Sequence, residues 1–340
     1  LLQAAAAPAT VGGAALQVSA SIGVTLYPQD NADADHLMRH ADQAMYQAKQ
    51  AGKNRYHRFD VNHDVAVQTR HESAEHIRQA LARHEFVLHY QPKINMKTGR
   101  VIGAEALIRW QHPERGLLLP AAFLPIIENH PISVELGEWV VDAALSQMGA
   151  WHAKGLDIPV SVNIAAHQLQ QDEFVPRLAA LLAAHPDVQR SLLELEILET
   201  SALEDIGRVS ELMHACHALG VRFALDDFGT GYASLTYLKH LPAELLKIDQ
   251  SFVLGMIDDA DDRAIVESVI CLVRAFHREV IAEGVETAAH GKLLLALGCE
   301  RAQGYGIARP MPAAELPAWI ASWRGTWPAR PGANEPFAMN

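Results

Sequence analysis

Val221-Arg222-Phe223-Ala224-Leu225-Asp226-Asp227-Phe228-Gly229-Thr230-Gly231-Tyr232 decides how this chain is read. An apolar run with the character of a buried strand ends in two adjacent carboxylates. Two like charges at such a place are costly unless positive charge lies between them. The glycines that follow permit a tight turn that brings both acids to one point. Glu105, Glu196 and Glu283 end other apolar runs in the same way, and Asn163 joins them. Hard oxygen ligands gathered like this suit Mg²⁺ or Mn²⁺, and two such ions activate water against a phosphodiester. Helix N-caps and surface ion pairs would explain a lone Asp-Asp pair equally well. They do not explain five coincident strand ends.

Composition narrows the class. Formal net charge is −12, which argues against a general binder of nucleic-acid polymers, since that requires a basic footprint. An acidic protein still takes an anionic substrate where bound cations reverse the local field. Hydrophobic residues make up 49% of the chain, ample for a core. Cys216, Cys271 and Cys299 are odd in number and scattered, without metal-ligand spacing. They read as buried, reduced thiols of a cytoplasmic protein. The eighteen histidines form no HExxH pattern. No run reaches the ~18 apolar residues of a membrane span, so no membrane contact is expected from this stretch. The first residue is Leu1 rather than Met, which leaves room for a sensor or membrane anchor upstream.

Outward from the Asp-Asp stretch, candidate strands are Phe86–Gln91, Val101–Arg109, Pro159–Asn163, Leu192–Glu196, Val221–Asp226, Leu245–Asp249, Glu279–Glu283 and Arg301–Gln303. Helical periodicity fills most gaps, at Glu135–Ala153, Leu203–Leu219, Arg263–His277 and Ala288–Leu297. From His76 to about Arg324 this is the size and order of a (β/α)₈ barrel, whose active sites collect at the carboxyl ends of the strands. The gap from Lys93 to Arg100, with Thr98-Gly99, is too short for a parallel crossover. The predicted fold is therefore α/β, a modified TIM barrel with one antiparallel strand.

Residues 1–60 are expected to be a separate, truncated α/β fragment. Leu16 to Leu26 alternates like a strand, and Asp35 to Lys49 has a helical apolar face of Leu37, Met38, Ala41, Ala44, Met45 and Ala48. Residues 61–75 read as a linker running into a helix, 76–324 as the barrel, and the Pro-, Gly- and Ala-rich 325–340 as a flexible tail.

Gly103-Ala104-Glu105-Ala106-Leu107-Ile108-Arg109-Trp110 resembles the signature of the EAL-domain family of cyclic di-GMP phosphodiesterases. The series continues in the family's order. Tyr90-Gln91-Pro92 precedes it, and Ser161-Val162-Asn163, Leu195-Glu196-Ile197-Leu198-Glu199 and the Asp226-Asp227 stretch follow. Lys247-Ile248-Asp249, Glu283-Gly284-Val285-Glu286 and Gln303-Gly304-Tyr305 complete it. The resemblance implies that Glu105, Asn163, Glu196 and Asp226 hold one metal ion, and that Asp226, Asp227 and Glu283 hold a second, as Mg²⁺ or Mn²⁺. It implies hydrolysis of cyclic di-GMP to linear pGpG in bacterial signalling, commonly by a homodimer. A non-catalytic cyclic di-GMP receptor is the alternative.

Lys247 would orient the attacking water; a surface lysine is the other reading, although it sits in the apolar run Leu245-Leu246-Lys247-Ile248. Arg109 shares a strand face with Glu105. It either reaches a substrate phosphate or pairs with Glu105. Gln303 and Gln91 are candidates to line the substrate groove. Glu199, and by the same pattern Glu286, either steadies the loop carrying Gly229 and Gly231 or simply opens a helix. Leu198 and Ala233 stand where the family commonly has Thr and Ser.

At the amino end, Ala20-Ser21-Ile22-Gly23-Val24, Ala41-Asp42-Gln43-Ala44-Met45-Tyr46-Gln47-Ala48-Lys49 and Gly52-Lys53-Asn54-Arg55-Tyr56 resemble the closing part of a GGDEF diguanylate cyclase domain. The signature that carries that domain's metal and nucleotide chemistry is nowhere in the chain, so cyclase activity of this chain is excluded.

Overall fold

The structure, a computed structural model, describes residues 1–6, 9–11, 14–16, 18–28, 33–50, 53–59, 73–229 and 235–325. It divides into two compact units, Leu1–His76 and Ile77–Asn340. Thr230, Gly231, Tyr232 and Ala233 lie outside the described residues, as do most of the predicted linker and nearly all of the predicted tail.

In the first unit the helix Ala34–Gln50 lies against a parallel strand pair, Ile22–Val24 with Tyr56–Arg58. Gly23 is needed there: a Cβ would fall 1.8 Å from the carbonyl oxygen of Ala41. One expectation is corrected. The strand read over Leu16 to Leu26 is confined to Ile22–Val24, with Ala14–Leu16 in a separate hairpin. Tyr56, His57 and Arg58 supply the parallel partner of Ile22–Val24. Ala44 and Ala48 are buried as the periodicity requires, but Met38 is exposed.

The second unit is a closed eight-stranded barrel. Its strands are β1 (Phe86–Asn95), β2 (Arg100–His112), β3 (Val160–Asn163), β4 (Leu193–Leu198), β5 (Arg222–Phe228), β6 (Leu245–Ile248), β7 (Glu279–Ala282) and β8 (Arg301–Ala302). Strands β2 to β8 pair in parallel with their neighbours in chain order. β1 runs against both β2 and β8 and closes the ring. The hairpin predicted from Thr98-Gly99 is present. The Asn95 side chain accepts from the N–H groups of Lys97 (3.0 Å) and Thr98 (2.8 Å), and Gly99 takes φ +68°.

The crossover helices include α1 (Ile132–His152), α2 (Phe174–Ala184), α3 (Ile206–Ala218), α4 (Leu235–His240), α5 (Ala260–Ala275) and α6 (Ala288–Leu297). The helix read over Leu203–Leu219 is two helices, Glu199–Glu204 and α3, because Asp205 leaves helical geometry and caps α3 through the Arg208 N–H. α5 begins three residues earlier than predicted because Asp259 caps it. Helix-capping aspartates thus exist among the described residues, at Asp33, Asp205, Asp249 and Asp259, but neither Asp226 nor Asp227 is one of them. Cys216 and Cys299 are buried; Cys271 is exposed, on α5 away from the buried face of Val266, Val269, Ile270 and Val273.

Inside the barrel, Ala224, Leu245 and Ile281 form an apolar layer. Two residues further along each strand, where the side chain returns to the same face, stand Asp226, Lys247 and Glu283. A polar mouth therefore sits directly on a dry floor.

Candidate active site

Asp226 and Asp227 are consecutive, so on a regular strand one would face in and the other out. β5 avoids this with a bulge: Leu225 pairs with Leu246 but Phe228 with Ile248, leaving one extra residue between them. Asp227 takes φ +54°, a left-handed conformation that Asp tolerates better than most residues. Asp226, Asp227 and Glu283 then each bring a carboxylate oxygen within 4.8 Å of the other two.

Lys247 lies beneath these acids, 1% exposed, which rules out a surface lysine. Its Nζ is 2.6 Å from Glu196 Oε2, 2.7 Å from Glu283 Oε1, 3.0 Å from Asp226 Oδ1 and 3.8 Å from Glu105 Oε2. Beside it runs an amide network. Asn163, open to solvent at the rim, donates to Glu105 Oε1 at 2.7 Å, and Gln303 Nε2 donates to Glu105 Oε2 at 2.6 Å. Gln303 also donates to Gln91 Oε1, and Gln91 donates to the Ala308 carbonyl oxygen. Gln91 is buried behind Gln303, so both ends of its amide are used within the protein.

Sequence reading missed two members of this cluster. Lys93 of β1 is buried, with Nζ 2.7 Å from Glu196 Oε1 and 3.2 Å from Glu194 Oε1. The available signal was alternation: Lys93 follows Gln91 by two residues, and Glu194 precedes Glu196 by two.

The acids outnumber their cations. Burial, reinforced by Glu196, pushes the Glu105 carboxyl up to about 6. Burial and then Asp226 push Asp227 up to about 6. Burial pushes Glu283 up to about 8, with Lys247 offsetting only part. Glu196 moves the other way: Lys247 and Lys93 outweigh its burial and hold it well below the usual carboxylate range. For Lys247, burial is outweighed by Glu105, Glu196, Glu283 and Asp226, which keep it charged. Gln303 Oε1 is buried without a hydrogen-bond partner. Surplus carboxylates, an orphaned amide oxygen and an all-oxygen donor set fit hard divalent cations.

The remaining candidates divide. Arg109 is buried and donates to its neighbour's carbonyl oxygen, that of Ile108, at 2.8 Å; it forms no ion pair with Glu105 among the described residues. Glu199 is fully buried and accepts from the Gly229 N–H at 2.9 Å, where Gly229 takes φ +103° and leads into the undescribed loop. Glu286 does not parallel it. Its side chain is exposed and makes no hydrogen bond or ion pair among the described residues, because the chain there turns outward into α6.

An oxygen-rich mouth whose acidic cluster could hold a metal ion, on a barrel with one reversed strand, defines the class of fold and site. The chain belongs to the EAL domain family, which matches residues 74–310, and residues 1–55 match the diguanylate cyclase GGDEF domain. It is 42% identical over 307 residues to the bifunctional diguanylate cyclase/cyclic di-GMP phosphodiesterase MucR of Pseudomonas aeruginosa, covering 90% of this chain and 45% of that protein. The chain thus spans less than half the length of this curated relative. The structure of the PaMucR phosphodiesterase in complex with c-di-GMP superposes with a TM-score of 0.69 at 43% identity, covering 72% of this chain and 99% of that one. The EAL enzyme Bd1971, bound to cAMP and cyclic di-GMP, gives 0.72 at 30% identity, covering 86% and 77%. Among the described residues no helix is long and apolar enough to cross a membrane.

Proposed function

We propose that the barrel hydrolyses cyclic di-GMP to linear pGpG. The observation that carries this reading is the convergence of Asp226, Asp227 and Glu283 beside Glu105, Asn163 and Glu196 at one end of the barrel. Two divalent ions, Mg²⁺ or Mn²⁺, would supply water activation and offset charge on the phosphoryl oxygens. Glu105, Asn163, Glu196 and Asp226 would hold one ion, and Asp226, Asp227 and Glu283 the other. Lys247, already within 3.0 Å of three of these acids, orients the attacking water and keeps positive charge near the developing oxyanion. Arg109 binds a substrate phosphate with its forked donors, and Gln303 turns its unpaired oxygen to the same space. Water oxygen bonds to phosphorus, the bond to the 3′ oxygen breaks, and that oxygen takes up a proton; the product keeps a 5′ phosphate. Glu199 restrains the loop after Asp227 through the Gly229 N–H.

We place this domain, residues 76–324 and following the GGDEF-like fragment in chain order, in a cytoplasmic homodimer. The test is incubation with cyclic di-GMP and Mn²⁺ or Mg²⁺, with and without chelator, followed by chromatography. Metal-dependent pGpG supports the reading. Intact nucleotide held tightly at high protein concentration would identify a receptor instead.

A further inference from the structure

Lys93 enters the barrel interior from β1, the reversed strand, whose register sets Gln91 opposite Glu105 and Lys93 opposite Gly103. Its backbone thus lies two residue pairs deeper than Glu105 along the hairpin. Its Nζ touches Glu196 Oε1 at 2.7 Å, while Lys247 takes the other oxygen, Oε2, at 2.6 Å. Glu196 is held at both oxygens by cations from opposite sides, and is fully buried. The two lysines differ in their other partners. Lys247 is shared among acids that face the mouth. Among the described residues Lys93 pairs only with Glu194, at 3.2 Å, besides Glu196. Burying such a Lys-Glu-Glu group is expensive, and an apolar filling would serve stability equally well or better. Its presence in the barrel calls for a task other than holding the barrel together.

We propose that Lys93, itself fixed by Glu194, is a positioning residue that locks one oxygen of Glu196 so that only the other turns toward a metal ion. This deepens the two-ion reading above and rests on it. With Oε1 committed, Glu196 is a one-oxygen ligand of fixed direction. Without Lys93 the carboxylate keeps only its Lys247 contact, Oε1 is released to swing about that anchor, and the first ion loses an oriented donor. Supporting groups of this kind typically contribute about 10–100-fold in metal affinity. Simple charge counting gives the opposite sign: removing a cation makes the site more negative and should tighten metal binding.

That opposition makes the assignment testable by Mn²⁺ titration without nucleotide, counting free Mn²⁺ by electron paramagnetic resonance. The parent should bind two ions. Lys93→Met should bind one ion at parental affinity, through Asp226, Asp227 and Glu283, and the other about 10–100-fold more weakly. Glu194→Gln, which frees Lys93 without removing it, should show a smaller loss of the same sign. If Lys93→Met fails to fold, the double variant Lys93→Met/Glu194→Met replaces the whole buried pair with apolar side chains and should show the same selective loss. Two ions bound at parental or higher affinity in the methionine variant would overturn the assignment alone. A parent that binds fewer than two ions would overturn the two-ion reading and this assignment with it.

Discussion

Replacing Glu283 by Gln should stabilise the metal-free protein in alkaline buffer while abolishing its turnover. The carboxyl is pushed up to about 8 from an ordinary 4.5, first by burial. A carboxyl raised on folding means that the folded state binds more protons than the unfolded chain. Its stability is therefore fullest below the unfolded value and is lost as pH rises through the window between 4.5 and about 8. At roughly 1.4 kcal/mol per pKa unit, ionising Glu283 at pH 8.5 withholds about 4–5 kcal/mol if no neighbour responds. Glu105 and Asp227, each raised to about 6, share the same cations and do respond, so we expect the variant to gain about 2 kcal/mol. Lys247 exchanges its 2.7 Å ion pair with Glu283 for a hydrogen bond to the neutral amide oxygen and keeps Glu196 and Asp226.

Urea unfolding in chelator provides the assay. The two proteins should match near pH 4.5, where the parent carboxyl is protonated and resembles the amide, and separate by pH 8.5. Saturating Mn²⁺ should then reverse the order. Binding at one hundred times the dissociation constant adds about 2.7 kcal/mol per site to the parent, and less to a variant lacking a ligand. A variant no more stable than the parent at pH 8.5 in chelator would refute the reasoning. The Lys247–Glu283 pair would then be net stabilising and the mouth would not be short of positive charge.

Other outcomes are equally open to measurement. Glu105→Ala should abolish turnover with the circular dichroism spectrum unchanged; a parental rate would remove the mechanism. Glu199→Gln weakens a charged acceptor for the Gly229 N–H, an interaction worth about 1.5–3 kcal/mol. Turnover should fall about tenfold or more while Mn²⁺ affinity in a titration stays within about twofold; unchanged turnover would detach this bond from the loop's role. Ca²⁺ should bind and displace Mn²⁺ but support turnover at least about 100-fold slower, because the larger ion polarises water less. Rates with Ca²⁺ equal to those with Mg²⁺ would argue against water activation by the ions.

What could be read from the chain without its structure was whatever depends on neighbours a few residues apart. Glu196 and Asp226 lie near the carboxyl ends of β4 and β5 and Glu105 lies within β2, and the two-residue alternation places each on the inner face. The Asn95–Gly99 turn forces β1 to reverse for purely local reasons. Three features needed the fold to settle them. Alternation alone would have turned Asp227 outward, and only the bulge against β6 brings it in. Glu199 and Glu286 occupy similar places after their strands, yet one meets the Gly229 N–H and the other meets solvent, a difference set by how each chain segment leaves the barrel. Lys93 looked like the first residue of a polar turn, since its partners lie 101 and 103 residues away. Closure of the ring through β1 is what carries that cation across to β4. The reversed strand, visible in the sequence only as a crossover too short to be helical, therefore supplies the second lysine of the site: the same local signal that departs from the regular barrel accounts for the site's least legible residue.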